Sequence, residues 1–441
     1  MNQSELFLQE IDKVYNAELP AEVLARAKQS LLDYLAVTHA GARFQAERLE
    51  KYYEFAQPEA GEFRVIGTGR DLALKEAVFL NGLNAHALDF DDGTNSGIIH
   101  LGSPIFSLLL PLSQRYEVSL EQLLHAAVTG YEASYTMAVS IQPGHKAMGY
   151  HATGTCGVLG ATLAAAYMLG FSKEERFHAF ATAAVSATGM LKVLDDGSEL
   201  KPYNVAKTAL LSLTSLQLAK AGFKGHEDPL GGRGFLKMMT GREDVELKST
   251  LLDGTYAIMK SYTKPYASCR YTHPAVEAAV FIRNEYGIKP ADVEQIDIKT
   301  YDLAVAGHEH TEIENSYSAK MSTPYSVAVG LIYGRAGLQE FEETMVKDET
   351  VAALTRKVRV SADDELSAIF PKVQAAIVTL QAGGKSYTKR VDFPKGEPEN
   401  PLTEEEFKAR YDGLMAYGGV DSAVSDRFYD SVKGGKLEWK E

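Results

Sequence analysis

The chain has 441 residues, 45% of them hydrophobic and 24% charged, with a formal net charge of −14. That length predicts two or three domains with ample core, and the acidic balance argues against nucleic-acid binding, which needs a basic footprint. Cys156 and Cys269 are the only cysteines; they cannot build a disulfide framework or supply the thiolates of an iron–sulfur cluster.

Met1 to Leu6 has no basic region leading into an apolar one, so no signal peptide is expected. The most apolar window, Thr155 to Phe171, is short for a membrane span and rich in Gly and Ala, which predicts a buried helix. A cytoplasmic protein without membrane contact is expected.

The first 260 or so residues predict helices. Leu19-Pro20-Ala21-Glu22 opens one that runs through Leu31 and Leu35, with Pro near the first turn. Further helices are expected over Leu72 to His86, from Ser103-Pro104, from a cap at Ser119 to about Ser140, over Thr155 to Met168 and, after a stop and cap at Gly170-Phe171-Ser172, over Glu174 to Ser186. Runs of alanine in these segments let helix axes approach closely. After about residue 290 the pattern changes. Val293 to Tyr301 alternates as a half-buried strand does, Val358 to Val360 is similar, and Ala375 to Leu380 with Ser386 to Val391 flanks the hairpin signal Ala382-Gly383-Gly384-Lys385. Helices are expected over His273 to Glu285 and Thr323 to Ile332, which makes this region a small α+β domain. Pro394 to Pro401 is a linker, and the helix after it, Glu404 to Leu414, is expected to return to the first domain.

Chemistry concentrates in a few segments. Asp89-Phe90-Asp91-Asp92 sets three carboxylates in four residues, ahead of His100 in a Gly-flanked loop. Packed like charges raise one another's pKa, and a histidine titrates near neutrality, so the stretch suggests acid–base work; an acidic helix end leading into a surface loop fits it too. His151 stands at the entrance to an Ala/Gly-rich helix, where a positive dipole end suits a carboxylate, or where it simply caps the helix. Lys201 precedes a helix and would ordinarily be a solvated surface lysine. Lys264, Cys269, Arg270 and His273 cluster at the presumed domain junction, where pockets tend to lie. Gly307-His308-Glu309-His310 has a metal-ligand look but no third ligand at a diagnostic spacing, so no metal site is expected. Tyr325 begins a helix in Ser322-Thr323-Pro324-Tyr325.

Taken in order, the opening helix, the acidic run, the His151 segment, Lys264 to His273 and Ser322 to Tyr325 resemble the MmgE/PrpD family over nearly the whole chain. The resemblance implies a mainly α protein: a large all-α domain over residues 1–262 and 402–441, a smaller α+β lid over 263–401, and a homodimer. It implies chemistry on a small di- or tricarboxylate at the domain interface, without metal or cofactor. Asp89, His100, His151, Lys201, Lys264 and Tyr325 correspond to the family's catalytic positions; Arg270, Cys269 and His273 lie where substrate would be held. Gly93 stands where lyase members of the family tend to have Thr, and Cys269 where some have His.

A proton next to a carboxylate is weakly acidic, so its removal needs countercharge, which Lys201, Lys264 and Arg270 can supply. His151 or His100 is the expected base, with Asp89 orienting it; Tyr325 or the other histidine is the expected acid. The outcome expected is loss of water or carbon dioxide from a methylcitrate- or aconitate-like acid. Epimerisation of an iminodisuccinate-like dicarboxylate uses the same groups, and a non-catalytic carboxylate-binding protein is the remaining reading.

Overall fold

The computed structural model describes residues 1–194, 198–248 and 254–440. It is mainly α, with 58% helix and 10% strand. The helices start where local chemistry directs. Pro20 precedes the Ala21–Phe44 helix, and Ser119 with Gln122 forms a capping box at the Leu120–Ile141 helix. Ser172 and Glu175 do the same for Lys173–Ser186.

Close helix approach through small residues is realised between Leu120–Ile141 and Gly157–Met168. A Cβ on Gly160 would stand 1.9 Å from Ser134 Oγ and 2.4 Å from the Gly130 carbonyl oxygen. The Gly157–Met168 helix is buried on every side, as its uniformly apolar sequence requires. The segment expected as one helix from Thr155 is broken at Cys156, with a single turn, Ala152–Thr155, before it. Leu72 is not helical either. It ends β2 (Arg70–Leu72), which pairs antiparallel with β1 (Ala60–Val65) and buries Leu72 and Phe63 together; the helix begins at Leu74.

The expected strands form one four-stranded sheet of β3 (Val293–Thr300), β4 (Val358–Ala362), β5 (Ala376–Ala382) and β6 (Lys385–Val391), in the order β4-β3-β5-β6. β3 and β4 are parallel, joined by a helical crossover; β5 is antiparallel to β3 and β6. The β5–β6 turn is Gly383-Gly384, with φ of 57° and 70°, the left-handed pair a two-residue hairpin needs. The His273–Tyr286 helix packs on β5 and β6, and Thr323–Tyr333 packs on that helix and on β4. After the sheet, the Glu404–Tyr417 helix returns to pack on Ala21–Phe44. The sheet-bearing segment therefore lies between two stretches of chain that join the same helical body.

Candidate active site

The acidic loop exists because the Leu74–His86 helix stops and the chain turns sharply. Asp89 adopts φ of 51°, in the left-handed region that Asp enters more readily than most residues. The loop then closes on itself, Thr94 N–H donating to the Ile99 carbonyl at 2.9 Å, and onto the junction segment, Tyr262 N–H donating to the Gly93 carbonyl at 2.9 Å. Gly93 is required by that approach: a Cβ would lie 2.4 Å from the Tyr262 hydroxyl.

The three carboxylates have separate partners. Asp89 Oδ1 meets Lys201 Nζ at 2.6 Å and Lys264 Nζ at 3.0 Å, and Lys264 also donates to the Asp89 carbonyl. Asp91 takes His86 Nδ1 at 2.8 Å and the Ser103 hydroxyl at 2.6 Å. Asp92 accepts from Gly102 N–H at 2.9 Å and from the Tyr131 hydroxyl. These pairings overturn the expected mutual pKa rise. Burial alone would raise Asp89, but Lys201, then Lys264 and His100, hold it well below the usual carboxylate range. Burial would raise Asp91 too, and His100 and His86 override it. Asp92 alone of the three is raised, to about 6, and burial is the main cause.

His100 Nδ1 lies 2.9 Å from the Asp92 carbonyl, which can only accept, so Nδ1 carries a proton there. Its Nε2 is 3.7 Å from Asp89 Oδ1. His86 sits between, ring centroid 4.5 Å from that of His100 and 6.3 Å from that of His151. His151 occupies the N-cap position of the single turn after it, through its carbonyl and not its side chain, and that turn offers no long helix dipole. Its Nδ1 is buried without a hydrogen-bond partner among the described residues. Burial first, then Lys201, His86 and His100, push its pKa well below the usual histidine value; the imidazole is neutral at neutral pH.

Lys201 is only 8% exposed, not a surface lysine. Arg270 directs Nε and Nη2 at Glu397, and its buried Nη1 has no partner among the described residues. Asp89, His100, His151, Lys201, Lys264, Cys269 and Arg270 all line one cavity of about 70 Å³, between the helical body and the sheet-bearing segment. That is space for roughly five waters, suited to a small acid.

Two expected site residues stand elsewhere. The Tyr325 hydroxyl donates to the Glu340 carbonyl at 2.8 Å, and its ring packs on Phe341. His273 turns Nε2 to the Ser268 carbonyl at 3.2 Å, edge-on to Tyr266. Neither lines the cavity. A helix start and a histidine in a polar segment do not specify which face they present. His308 and His310 do not pair either: His308 Nδ1 donates to the Met321 carbonyl, and His310 faces the Ser318 carbonyl.

Several groups escape the sequence reading. Lys146 lines the cavity and donates to the Tyr271 hydroxyl. Burial and Lys201 lower its pKa to about 8. Arg410, on the returning Glu404–Tyr417 helix, donates to the Lys264 carbonyl at 2.6 Å and the Phe90 carbonyl at 2.9 Å, and pairs with Asp33. It thereby joins the two loops that carry Lys264 and Asp89. The one sequence signal for such a residue is a cation on a helix otherwise rich in acids.

His86, Asp89, Asp91 and His100 place candidate ligand atoms within 4.8 Å of one another. The fit to a dication is poor, because Asp89 Oδ1 already holds two ammonium groups and both Asp91 oxygens face His86 Nδ1 within 2.9 Å.

Family models match most of the chain: the MmgE/PrpD N-terminal domain over residues 9–248 and the MmgE/PrpD C-terminal domain over 266–427. Cis-aconitate decarboxylase of Aspergillus terreus is 27% identical over 439 residues, covering 93% of this chain and 88% of the relative. Cis-aconitate decarboxylase of Mus musculus is 25% identical over 427 residues, covering 91% and 85%. The 2-methylcitrate dehydratase of Escherichia coli (strain K12) is 22% identical over 378 residues, covering 80% and 75%. With both family models matched along it, the chain that gathers these buried carboxylates, lysines and histidines belongs to the MmgE/PrpD family.

Proposed function

We propose that the protein is a lyase of a small tricarboxylate, run by its own acid–base side chains, with decarboxylation of a cis-aconitate-like acid as the first reading and dehydration of a 2-methylcitrate-like acid as the second. The observation that carries it is the Asp89 carboxylate between two buried ammonium groups, beside a neutral His151 and an Arg270 Nη1 that has no partner among the described residues, in one small cavity. The names of the similar proteins support the substrate class.

In the decarboxylation, Lys264 and Arg270 hold substrate carboxylates. The carbon–carbon bond to one carboxylate breaks, carbon dioxide leaves, and its electron pair passes into the adjoining unsaturated acid, whose growing negative charge Lys201 and Lys264 stabilise. His100, as an imidazolium with its second proton on Nε2 facing Asp89, then returns that proton to carbon and is left neutral. In the dehydration, neutral His151 takes the proton next to a carboxylate, the same lysines stabilise the enolate, and the His100 imidazolium gives its Nε2 proton to the departing hydroxyl, which leaves as water. Each positioned acid or base is expected to contribute roughly 10²–10⁴-fold.

The test is incubation with cis-aconitate and 2-methylcitrate in deuterated water, followed by NMR and by carbon dioxide release. Consumption of one acid with solvent-derived deuterium in the product, or with loss of water, supports the proposal. Deuterium in recovered substrate without loss of water or carbon dioxide makes the protein an epimerase instead. No turnover and no exchange with any such acid overturns the reading.

Residues 263–401 act as a lid on a body formed by 1–262 and 402–441, supported by a cavity lined from both. The protein works as a homodimer, supported by exposed Val185, Phe223 and Met238 around one surface groove. It works in the cytoplasm, where free thiols such as Cys156 and Cys269 persist; no helix among the described residues is long and apolar enough to cross a membrane.

A further inference from the structure

A second, smaller cavity of about 20 Å³ shares Asp89 and Lys201 with the first and is also lined by His86, Ser198, Tyr317 and Lys320. It has room for roughly one or two waters, which is the size of one carboxylate group. Lys320, on the Ser316–Met321 helix, is 2% exposed, and its Nζ has no hydrogen-bond partner among the described residues. The three other lysines of this region are engaged, Lys201 and Lys264 by Asp89 and Lys146 by Tyr271. Lys320 instead lies 4.1 Å from the centre of the Phe44 ring and 5.7 Å from that of Tyr317. Aromatic faces attract an ammonium but accept no hydrogen bond in the manner of an oxygen. A buried amine left this way is costly unless something arrives to meet it.

We propose that this small cavity is a carboxylate subsite, in which Lys320 receives one carboxylate arm of the substrate beside the Asp89–Lys201 pair. The proposal rests on the carboxylate reading of the main cavity and adds a third anchoring point to it. The charged and titratable groups acting on Lys320 are Asp89, Lys264, Lys201 and Arg48, with His86 on the same cavity. Burial pulls the Lys320 amine down to about 7, Asp89 opposes this, and the other three cations add to it. An arriving carboxylate favours the ammonium form, so binding above neutrality takes up a proton. The arm that enters also competes with Asp89 for Lys201.

The experiment is titration calorimetry on the full-length protein with two unreactive acids, tricarballylate (three carboxylates) and glutarate (two), at pH 7.5 in two buffers of different ionisation heat. In the wild type, tricarballylate binds with proton uptake. Lys320→Met is expected to weaken tricarballylate about tenfold or more, leave glutarate unchanged and abolish the uptake. Lys320→Arg, always charged, is expected to keep affinity for tricarballylate but lose the uptake. A thermal melt of each variant checks that it is folded. Wild-type affinity for tricarballylate with unchanged uptake in Lys320→Met overturns the subsite while leaving the main cavity's carboxylate reading intact. Wild-type protein that binds neither acid overturns both.

Discussion

Asp89→Asn keeps the shape of the side chain and removes its charge. Lys201 and Lys264 would remain buried, their side chains 10% and 1% exposed, with no carboxylate between them. Removing one partner of a buried ion pair costs about 3–5 kcal/mol, because the other charge stays in a poor environment. The amide oxygen still accepts a hydrogen bond, which returns about 1 kcal/mol. A net loss of about 2–4 kcal/mol is expected near pH 7. The sign follows from linkage. Asp89 is held below its ordinary 3.8, so its stabilising effect is present above that value and fades as pH falls further. Lys201 is held above its ordinary 10.5, burial being outweighed by Asp89, so its share is present below that value and fades as pH rises past it. The difference between wild type and variant is therefore widest between these limits. Urea unfolding read by tryptophan fluorescence and circular dichroism measures it. The double variant Asp89→Asn with Lys201→Met should recover part of the loss, because one of the two orphaned ammonium groups is gone. A single variant within about 0.5 kcal/mol of wild type, or a double variant no better than the single, would refute the view that this carboxylate exists to hold two buried cations.

Lys320→Met should stabilise the protein below about pH 7, by at most about 5 kcal/mol if the full shift from 10.5 to about 7 is a folding cost. The gain should shrink as pH rises from about 7 and vanish past 10.5, where the amine becomes neutral in the unfolded chain too; denaturation midpoints across that range test it. Tyr325→Phe should cost about 1 kcal/mol through its lost bond to Glu340 and leave kcat within a factor of two or so; a fall of a hundredfold would return Tyr325 to the chemistry. If the reaction is the dehydration, His151→Gln should lower kcat by roughly 10²–10⁴-fold without changing the melting behaviour. If neutral His151 is the base, wild-type kcat should stay level from about pH 7.5 down to about 6, because burial keeps its pKa well under 6.5. An acid limb centred near the ordinary histidine value would assign the base to another group.

The parts of this molecule that could be read from its sequence are those governed by local chemistry. The boxes at Ser119 and Ser172, the alternation of β3 and the Gly383-Gly384 turn each depend on neighbours within a few residues, and each formed as expected. Leu72 shows where that fails: its spacing suits a helix, but pairing with β1 decides its state. At the site, the Asp89 run, His100, His151 and Lys264 were visible because unusual residues crowd short segments. Their electrostatics were not. Like charges in sequence suggested raised pKa values for all three aspartates, but Asp89 meets lysines more than 100 positions away, Lys201 and Lys264, and Asp91 meets His86 and His100 on either side of the acidic run. Lys201 shows the same limit from the other side, being an ordinary lysine in sequence and a buried partner of Asp89 in space. Lys320, only five positions before Tyr325, was passed over because nothing local distinguishes a buried lysine from a solvated one.

The backbone at Asp89 ties these observations together. A non-glycine residue at φ of 51° persists only when its surroundings over-determine it, at a cost of order 1–3 kcal/mol. Here the determinants are identifiable. Lys264 binds both the carboxylate and the carbonyl of Asp89. Arg410 binds the next carbonyl, at Phe90, and the Lys264 carbonyl as well. The strained turn, the lysine and the arginine come from three distant parts of the chain, and the Arg410 contacts form only once the Glu404–Tyr417 helix has returned to the helical body. The cavity is consequently assembled late in sequence although most of its chemistry is written early. A truncation after the linker at Pro401 would leave Asp89, His100 and His151 in the chain and still remove the group that holds their loop against Lys264.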